Sequence, residues 1–226
     1  VHNCTPNIAH DAINLAAIAA GKHVYAEKPM SITTEGALRV AAAAKAAGVA
    51  NAINYQYRMN AAVLEMRARM AAGAAGKKLF ISGCYLQDSV ARHDDYTPRR
   101  IPETSPARAL LDIGVHWADT ASFAAGMRIK KVYARMYTHY PVRIDPATGR
   151  EIAVHSDDTT AVMVEFADGT PGAATFSKCM LGHKNDLRVT ISGELSELSW
   201  QQELCDRLTV GSRETCRQTI LMDPQW

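Results

Sequence analysis

The sequence predicts an α/β chain in which part of a parallel, doubly wound sheet is followed by an α+β region with a large, mostly antiparallel sheet. Three observations carry this. Through residue 58, short apolar runs alternate with Ala-rich stretches of helical period. From Lys130 onward, apolar residues recur at every second position. The change of texture between these stretches places a boundary after Arg58, dividing the chain into 1–58 and 59–226.

In the first region, 1–5 reads as a strand end and 8–20 as a helix carrying Ile13, Leu15 and Ile18, stopped by Gly21. Residues 23–26 form a short buried strand. Thr33 caps the next helix, with Glu35 in its first turn and Gly48 just beyond its end. Residues 49–55 give a third strand. This strand–helix–strand–helix–strand order implies right-handed crossovers and a parallel sheet. A complete doubly wound fold has two such halves, and its glycine-rich turn lies in the first. No G-x-G-x-x-G occurs here, so the chain reads as the second half, with roughly 70 residues expected upstream at 30 or more per βαβ unit.

In the second region, Asn60 caps a helix through Met70 that ends near Gly73, and 78–85 is a strand. The polar stretch 87–108, with Pro98, Pro102 and Pro106, has the length expected of a functional or mobile loop. A helix over 109–124 is followed by Gly126. Val162, Val164 and Phe166 share one strand face, Asp168-Gly169 turns into a strand over 172–179, and Leu187, Val189, Ile191, Leu198 and Trp200 continue the alternation. Helices should cover one face of this sheet. Residues 222–226 read as an end without a closing element.

The 226 residues can bury a sizeable core, and 47% hydrophobic with 21% charged residues is ordinary globular composition. The net charge of +2 is spread along the chain, with Arg99-Arg100 its densest basic pair, so neither nucleic acid nor an anionic membrane is an expected partner. There is no apolar run of spanning length and no signal peptide. Five cysteines at irregular spacing, without C-x-x-C, read as reduced thiols of a cytoplasmic protein, and no zinc or other metal site is expected.

Lys28 follows a short apolar strand, where ligands bind in open α/β sheets. An ammonium there can polarise a reacting oxygen and, on burial, relay a proton; a solvated surface lysine is the bland alternative. Asp112 and His116 lie four residues apart on one face of a helix, with Gly114 between them. Histidine suits acid/base work on a hydroxyl, and the carboxylate can set its tautomer or bind a substrate hydroxyl; a helix-supporting surface pair would look the same. Gly114 costs stability in a helix unless something approaches closely. Thr5-Pro6-Asn7 reads as a helix entry capped by Asn7, which leaves room for a second role at the same turn. His10 reads as a site neighbour or a first-turn surface residue. Arg58, after Tyr57, could hold a carboxamide or substrate oxygen, or make an interdomain ion pair. Gln87 and Asp88 lie where a strand enters the long loop and suit sugar hydroxyls, whereas Arg92, His93 and Arg108 read as solvated. His155-Ser156-Asp157-Asp158-Thr159 fits no metal spacing and reads as turn capping.

Taken in order, Thr5-Pro6-Asn7 with His10, Glu27-Lys28-Pro29 and Asp112-x-Gly114-x-His116 resemble the Gfo/Idh/MocA family of nicotinamide-dependent sugar and cyclitol oxidoreductases. The resemblance spans nearly the whole chain and adds Ala17-x-x-Ala20-Gly21-Lys22-His23-Val24 and Leu111 through Asp119. It implies a partial Rossmann-like domain followed by a substrate-binding and oligomerisation domain. It implies NAD or NADP as cofactor and a sugar or polyol as substrate, with the catalytic set Lys28, Asp112 and His116. His116 would take the hydroxyl proton as hydride leaves, while Lys28 and Asp112 hold the substrate. It also implies cofactor contacts at Thr5, Pro6, Asn7, His10, Glu27, Lys28, Pro29 and Arg58, substrate contacts at Gln87 and Asp88, and a homodimer or homotetramer through the sheet. Lacking the phosphate-binding turn, the 226 residues alone are expected to bind the dinucleotide poorly. Three other classes fit the same residues: a ligand sensor without turnover, a bare dimerisation module, and a lyase using Lys28 as a Schiff base.

Overall fold

A computed structural model describes residues 1–96 and 108–223. The expectations for Pro98, Arg99, Arg100, Pro102, Pro106 and the last three residues lie outside the described part.

The first region contains three parallel strands, β1 (His2–Asn3), β2 (Val24–Ala26) and β3 (Asn51–Ile53), in the order β1-β2-β3. Helices α1 (His10–Ala19) and α2 (Thr34–Ala47) connect them. Ile18, Val24, Ala26, Val40 and Ala44 form its buried apolar cluster. The α2 ends are those expected: Thr33 Oγ1 accepts from Gly36 N at 3.0 Å, and Gly48 ends the helix at φ +64°. The first helix differs. A 3-10 turn (Asn7–Ala9) precedes α1, Pro6 occupies its N-cap, and the Asn7 side chain caps nothing.

Beyond it, Asn60 Oδ1 accepts from Ala62 N at 2.9 Å and starts α3 (Ala61–Ala71). The large sheet uses β4 (Lys78–Leu86), β5 (Ile129–Tyr137), β8 (Thr159–Phe166), β9 (Pro171–Ser177), β10 (Asp186–Gly193), β11 (Glu197–Gln201), β12 (Arg207–Gly211) and β13 (Gln218–Leu221). Its order is β13-β12-β11-β10-β4-β9-β8-β5, and only β4 and β9 run parallel. A small hairpin, β6 (Val142–Ile144) with β7 (Glu151–Ala153), stands apart. The sheet is the largely antiparallel one the alternation implied. It continues through β12 and β13, which are too short and polar to stand out in the sequence.

Helices α3 and α4 (Val115–Ala125) cover one face. Their buried residues, including Val63, Met66, Trp117 and Ala121, pack with Ile81, Phe166, Phe176, Val189, Ile191 and Trp200. Gly83 on β4 admits the Trp117 indole: a Cβ there would stand 2.2 Å from Trp117 Nε1. This seating fixes α4, and with it the site, against the sheet. All five cysteines are free. No helix among the described residues is long and apolar enough to cross a membrane.

Candidate active site

Lys28 leaves the carboxyl end of β2 and is joined to Pro29 by a cis peptide. Its Nζ donates to Asp112 Oδ1 at 2.7 Å and to the Asp112 carbonyl at 2.8 Å. Asp112 does not sit in regular α-helix. The helix expected over 109–124 opens with a π turn (Leu110–Gly114), in which Val115 N donates back to Leu110 O. Gly114 lets this turn lie on the sheet, since a Cβ there would stand 2.7 Å from Phe176 Cδ2. Gly114→Ala should therefore lower stability by about 1–3 kcal/mol through overpacking, read by urea denaturation. Unchanged stability would mean that Phe176 yields at no cost.

A second cation, unforeseen in the sequence, reaches the same carboxylate. The Lys178 ammonium, just past β9, pairs with Asp112 Oδ2. Lys178 is buried (3% side-chain exposure), whereas the Asp112 side chain remains 44% exposed. Burial favours the neutral acid of Asp112, but the charges of Lys178 and Lys28 outweigh it and hold the carboxyl well below the usual range. Asp112 is thus an anion at any working pH.

His116 follows in α4, buried, with its ring centroid 5.1 Å from Tyr57, 6.0 Å from Tyr55 and 6.1 Å from Tyr85. Burial, then the Lys28 charge, lowers its pKa to about 4 against the opposing pull of Asp112 and Glu27. Its Nδ1 is buried with no hydrogen-bond partner among the described residues. At neutral pH His116 is therefore an uncharged base beside an ammonium. The neighbouring wall is a ring of hydrogen bonds. Tyr57 and Tyr85 hydroxyls meet at 2.8 Å, Tyr85 donates to Asn185 Oδ1 at 2.5 Å, and Asn185 Nδ2 donates to Tyr57 at 3.3 Å. Burial and the Tyr57 contact push the Tyr85 phenol well above its usual range.

The remaining candidates divide. Gln87 Nε2 donates to Asn185 Oδ1 at 3.4 Å and so belongs to this wall, whereas the Asp88 carboxylate is taken by Lys184. Thr5 N and Oγ1 both donate to Asn3 Oδ1, at 3.2 and 2.6 Å. His10 is fully buried, contrary to a surface reading: Nδ1 lies 2.7 Å from the Pro29 carbonyl and Nε2 2.9 Å from that of Thr5. It thereby joins the two loops at the carboxyl ends of β1 and β2. Glu27 Oε1 accepts from Asn54 Nδ2 at 2.7 Å. Arg58 makes a bidentate ion pair with Asp119 of α4 through Nε (2.7 Å) and Nη2.

Arg92 and His93 are exposed, but Arg108 is buried and pairs with Asp158. One arginine among several in a polar stretch gives no local sign of a counter-ion fifty positions away. Asp157 Oδ2 accepts from Leu110 N at 3.0 Å, and Asp158 Oδ2 from His139 N at 2.8 Å, so this acidic pair holds backbone N–H groups of distant segments, and Asp158 is also the counter-ion of Arg108 and Arg143. No group of three or more His, Cys, Asp or Glu among the described residues is arranged to hold a metal ion.

The carboxyl ends of parallel strands are where dinucleotides lie in open α/β sheets. An ammonium, a neutral imidazole and a half-open carboxylate at that edge fit a nicotinamide beside a hydroxyl substrate. The phosphate-binding glycine turn is not among these residues.

Comparison with known proteins covers both regions of the chain. Residues 1–55 match the "Oxidoreductase family, NAD-binding Rossmann fold" and residues 63–199 the "GFO/IDH/MocA C-terminal domain". Levoglucosan dehydrogenase of Pseudarthrobacter phenanthrenivorans is 29% identical over 219 residues, covering 91% of this chain and 56% of that protein. An oxidoreductase domain protein from Kribbella flavida superposes with TM-score 0.92 at 30% identity, over 98% of this chain and 60% of the other. Levoglucosan dehydrogenase complexed with NADH and L-sorbose superposes with TM-score 0.93 at 28% identity, over 100% and 61%. The chain thus spans between half and two thirds of the length of these relatives. With both its regions matched in order, and the second match alone covering more than half of it, the chain belongs to the Gfo/Idh/MocA family of oxidoreductases.

Proposed function

We propose that the protein is an NAD(P)-dependent dehydrogenase that moves a hydride between a sugar or cyclitol hydroxyl and the nicotinamide. The observation that carries this reading is the meeting of Lys28, from the loop after β2, with Asp112 of the π turn and His116 of α4, at the carboxyl edge of β2. When bound, the dinucleotide supplies the hydride acceptor. The chain supplies the rest. His116, uncharged at neutral pH, takes the hydroxyl proton. Lys28 donates to the same oxygen and stabilises the charge that develops there. Asp112, held anionic, orients Lys28. Gln87 and the Tyr57–Tyr85–Asn185 ring offer polar partners to the remaining hydroxyls. Thr5, Pro6, Asn7, Glu27, Pro29 and Arg58 lie along the cofactor side, with His10 behind them as a brace. Asp88, engaged by Lys184, would reach substrate only by exchanging that partner.

Further parts of this reading are a division into 1–58 and 59–226, a cytoplasmic location, and a homodimer or homotetramer. Support for the oligomer is the open sheet face, where Tyr133, Tyr137, Met163 and Phe80 are exposed. The substrate class draws on the relatives named for levoglucosan and crystallised with L-sorbose.

The test is an assay of the full-length protein with NAD or NADP and a panel of monosaccharides, anhydrosugars and inositols, following reduced nicotinamide. Turnover of at least one cyclic polyol is expected. A folded protein inert toward every pair would overturn the reading.

A further inference from the structure

We propose that Lys178 is a positioning residue. It stays on Asp112 Oδ2 as a resident counter-ion, so that Lys28 can leave Asp112 Oδ1 for a substrate oxygen without leaving the carboxylate uncompensated. This rests on the dehydrogenase reading above and adds a residue and a role to it.

The two lysines hold the same carboxylate differently. Lys28 is 18% exposed and comes from the loop after β2. Lys178 is 3% exposed, and its backbone is fixed on both sides: its N–H donates to the Asp158 carbonyl at 3.0 Å, and its carbonyl accepts from Val90 N at 3.0 Å. An ammonium so deeply buried is costly unless a carboxylate accompanies it. Asp112 Oδ2 accompanies Lys178, so Lys178 has little to gain by moving. Lys28 lies at the half-open side and can exchange partners. The other titratable groups that Asp112 and its surroundings bring together are His116 on α4, Glu27 before Lys28 and Tyr85 on β4. Among the described residues, Lys28 and Lys178 bring positive charge to Asp112 while His116 is neutral. With Lys178 absent, Asp112 would depend on Lys28 alone and would hold it away from the substrate.

The test is performed on the full-length protein. The Asp112 carboxyl carbon is followed by carbon NMR against pH without dinucleotide, and steady-state kinetics are measured against pH. In Lys28→Met, Asp112 should stay ionised well below the ordinary carboxylate midpoint of about 3.9, because Lys178 remains. In Lys178→Met, that midpoint should rise by about one pH unit or more relative to the parent. In the same variant kcat should fall by about tenfold or more with KM changed less than about threefold, the pattern of a lost transition-state contribution. Lys178→Arg, which keeps the charge, should recover most of both. The proposal is overturned if Lys178→Met leaves the Asp112 titration and kcat as in the parent. It is equally overturned if Lys28→Met alone returns Asp112 to the ordinary range. Should Lys178→Met fail to fold, the Lys28→Met titration decides. If the parent turns over no polyol, the dehydrogenase reading fails by itself, and the same titrations still judge the counter-ion role.

Discussion

His116→Asn in the full-length protein is expected to lower kcat for polyol oxidation by about 10²- to 10⁴-fold, the usual contribution of a positioned general base. KM should move little, because the ring acts on a proton rather than on the bulk of the substrate. The pH profile gives a sharper reading. Burial and Lys28 lower the His116 pKa to about 4, so the base form persists through the mildly acidic range. In the parent, kcat/KM should hold as pH falls past the ordinary histidine midpoint of about 6.5 and drop only as pH approaches about 4. His116→Asn should lose that limb. Initial rates across pH, with Asp112 ionised throughout, separate these cases. An acid limb near the ordinary midpoint in the parent, or one that survives the substitution, would remove His116 from the role of base.

Asp158→Ala should give the largest loss of stability, about 3–5 kcal/mol, as when one partner of a buried ion pair is removed. The side chain of Asp158 is 0% exposed, that of Arg143 0% and that of Arg108 3%. Arg143 Nη2 donates to Asp158 Oδ1 at 2.8 Å, Arg108 pairs with the same oxygen, and the backbone N–H groups of His139 and Tyr140 donate to Oδ2 at 2.8 and 3.3 Å. Removing the carboxylate would take the shared anion from two buried guanidinium groups, while Arg143 keeps its bonds to the carbonyls of Val90, Arg92 and Asp95. At about 2–4 °C per kcal/mol for a protein of this size, the melting temperature should fall by roughly 10 °C. Calorimetry or urea unfolding measures it. A loss below about 1 kcal/mol would mean that the carbonyls suffice and that Asp158 is not the keystone of the 87–96 segment and the β6–β7 hairpin.

Much of the fold is legible where local chemistry decides it. Thr33, Gly48 and Asn60 act at helix ends through their own backbone reach, and Val162, Val164 and Phe166 alternate because one sheet face is covered. Lys28, Asp112 and His116 are legible because each lies in a short motif, and the structure brings them together. Lys178 was missed for a physical reason. Ser177-Lys178-Cys179 is an unremarked strand end, and only the packing of the π turn on β9, where Gly114 meets Phe176, carries it to a carboxylate 66 positions away. The same holds for Arg108, Arg143 and Asp158, whose charges make sense only once three distant segments are packed. Periodicity also cannot separate a π turn from an α turn over five residues, so the unusual start of α4 left no trace.

That start has a consequence for comparing relatives. Asp112 sits inside a turn wider than α-helix, whereas Trp117 and the rest of α4 are locked to the sheet through Gly83. In α-helix each residue advances the azimuth by about 100° (3.6 residues per turn). A homologue one residue shorter between these two anchors could therefore preserve every amino acid type of the motif. It would still swing its carboxylate about a quarter of a circle away from both lysines. Competence in such homologues is a matter of chain length at this joint as much as of residue identity, and an alignment that tolerates a gap there equates sites that point in different directions.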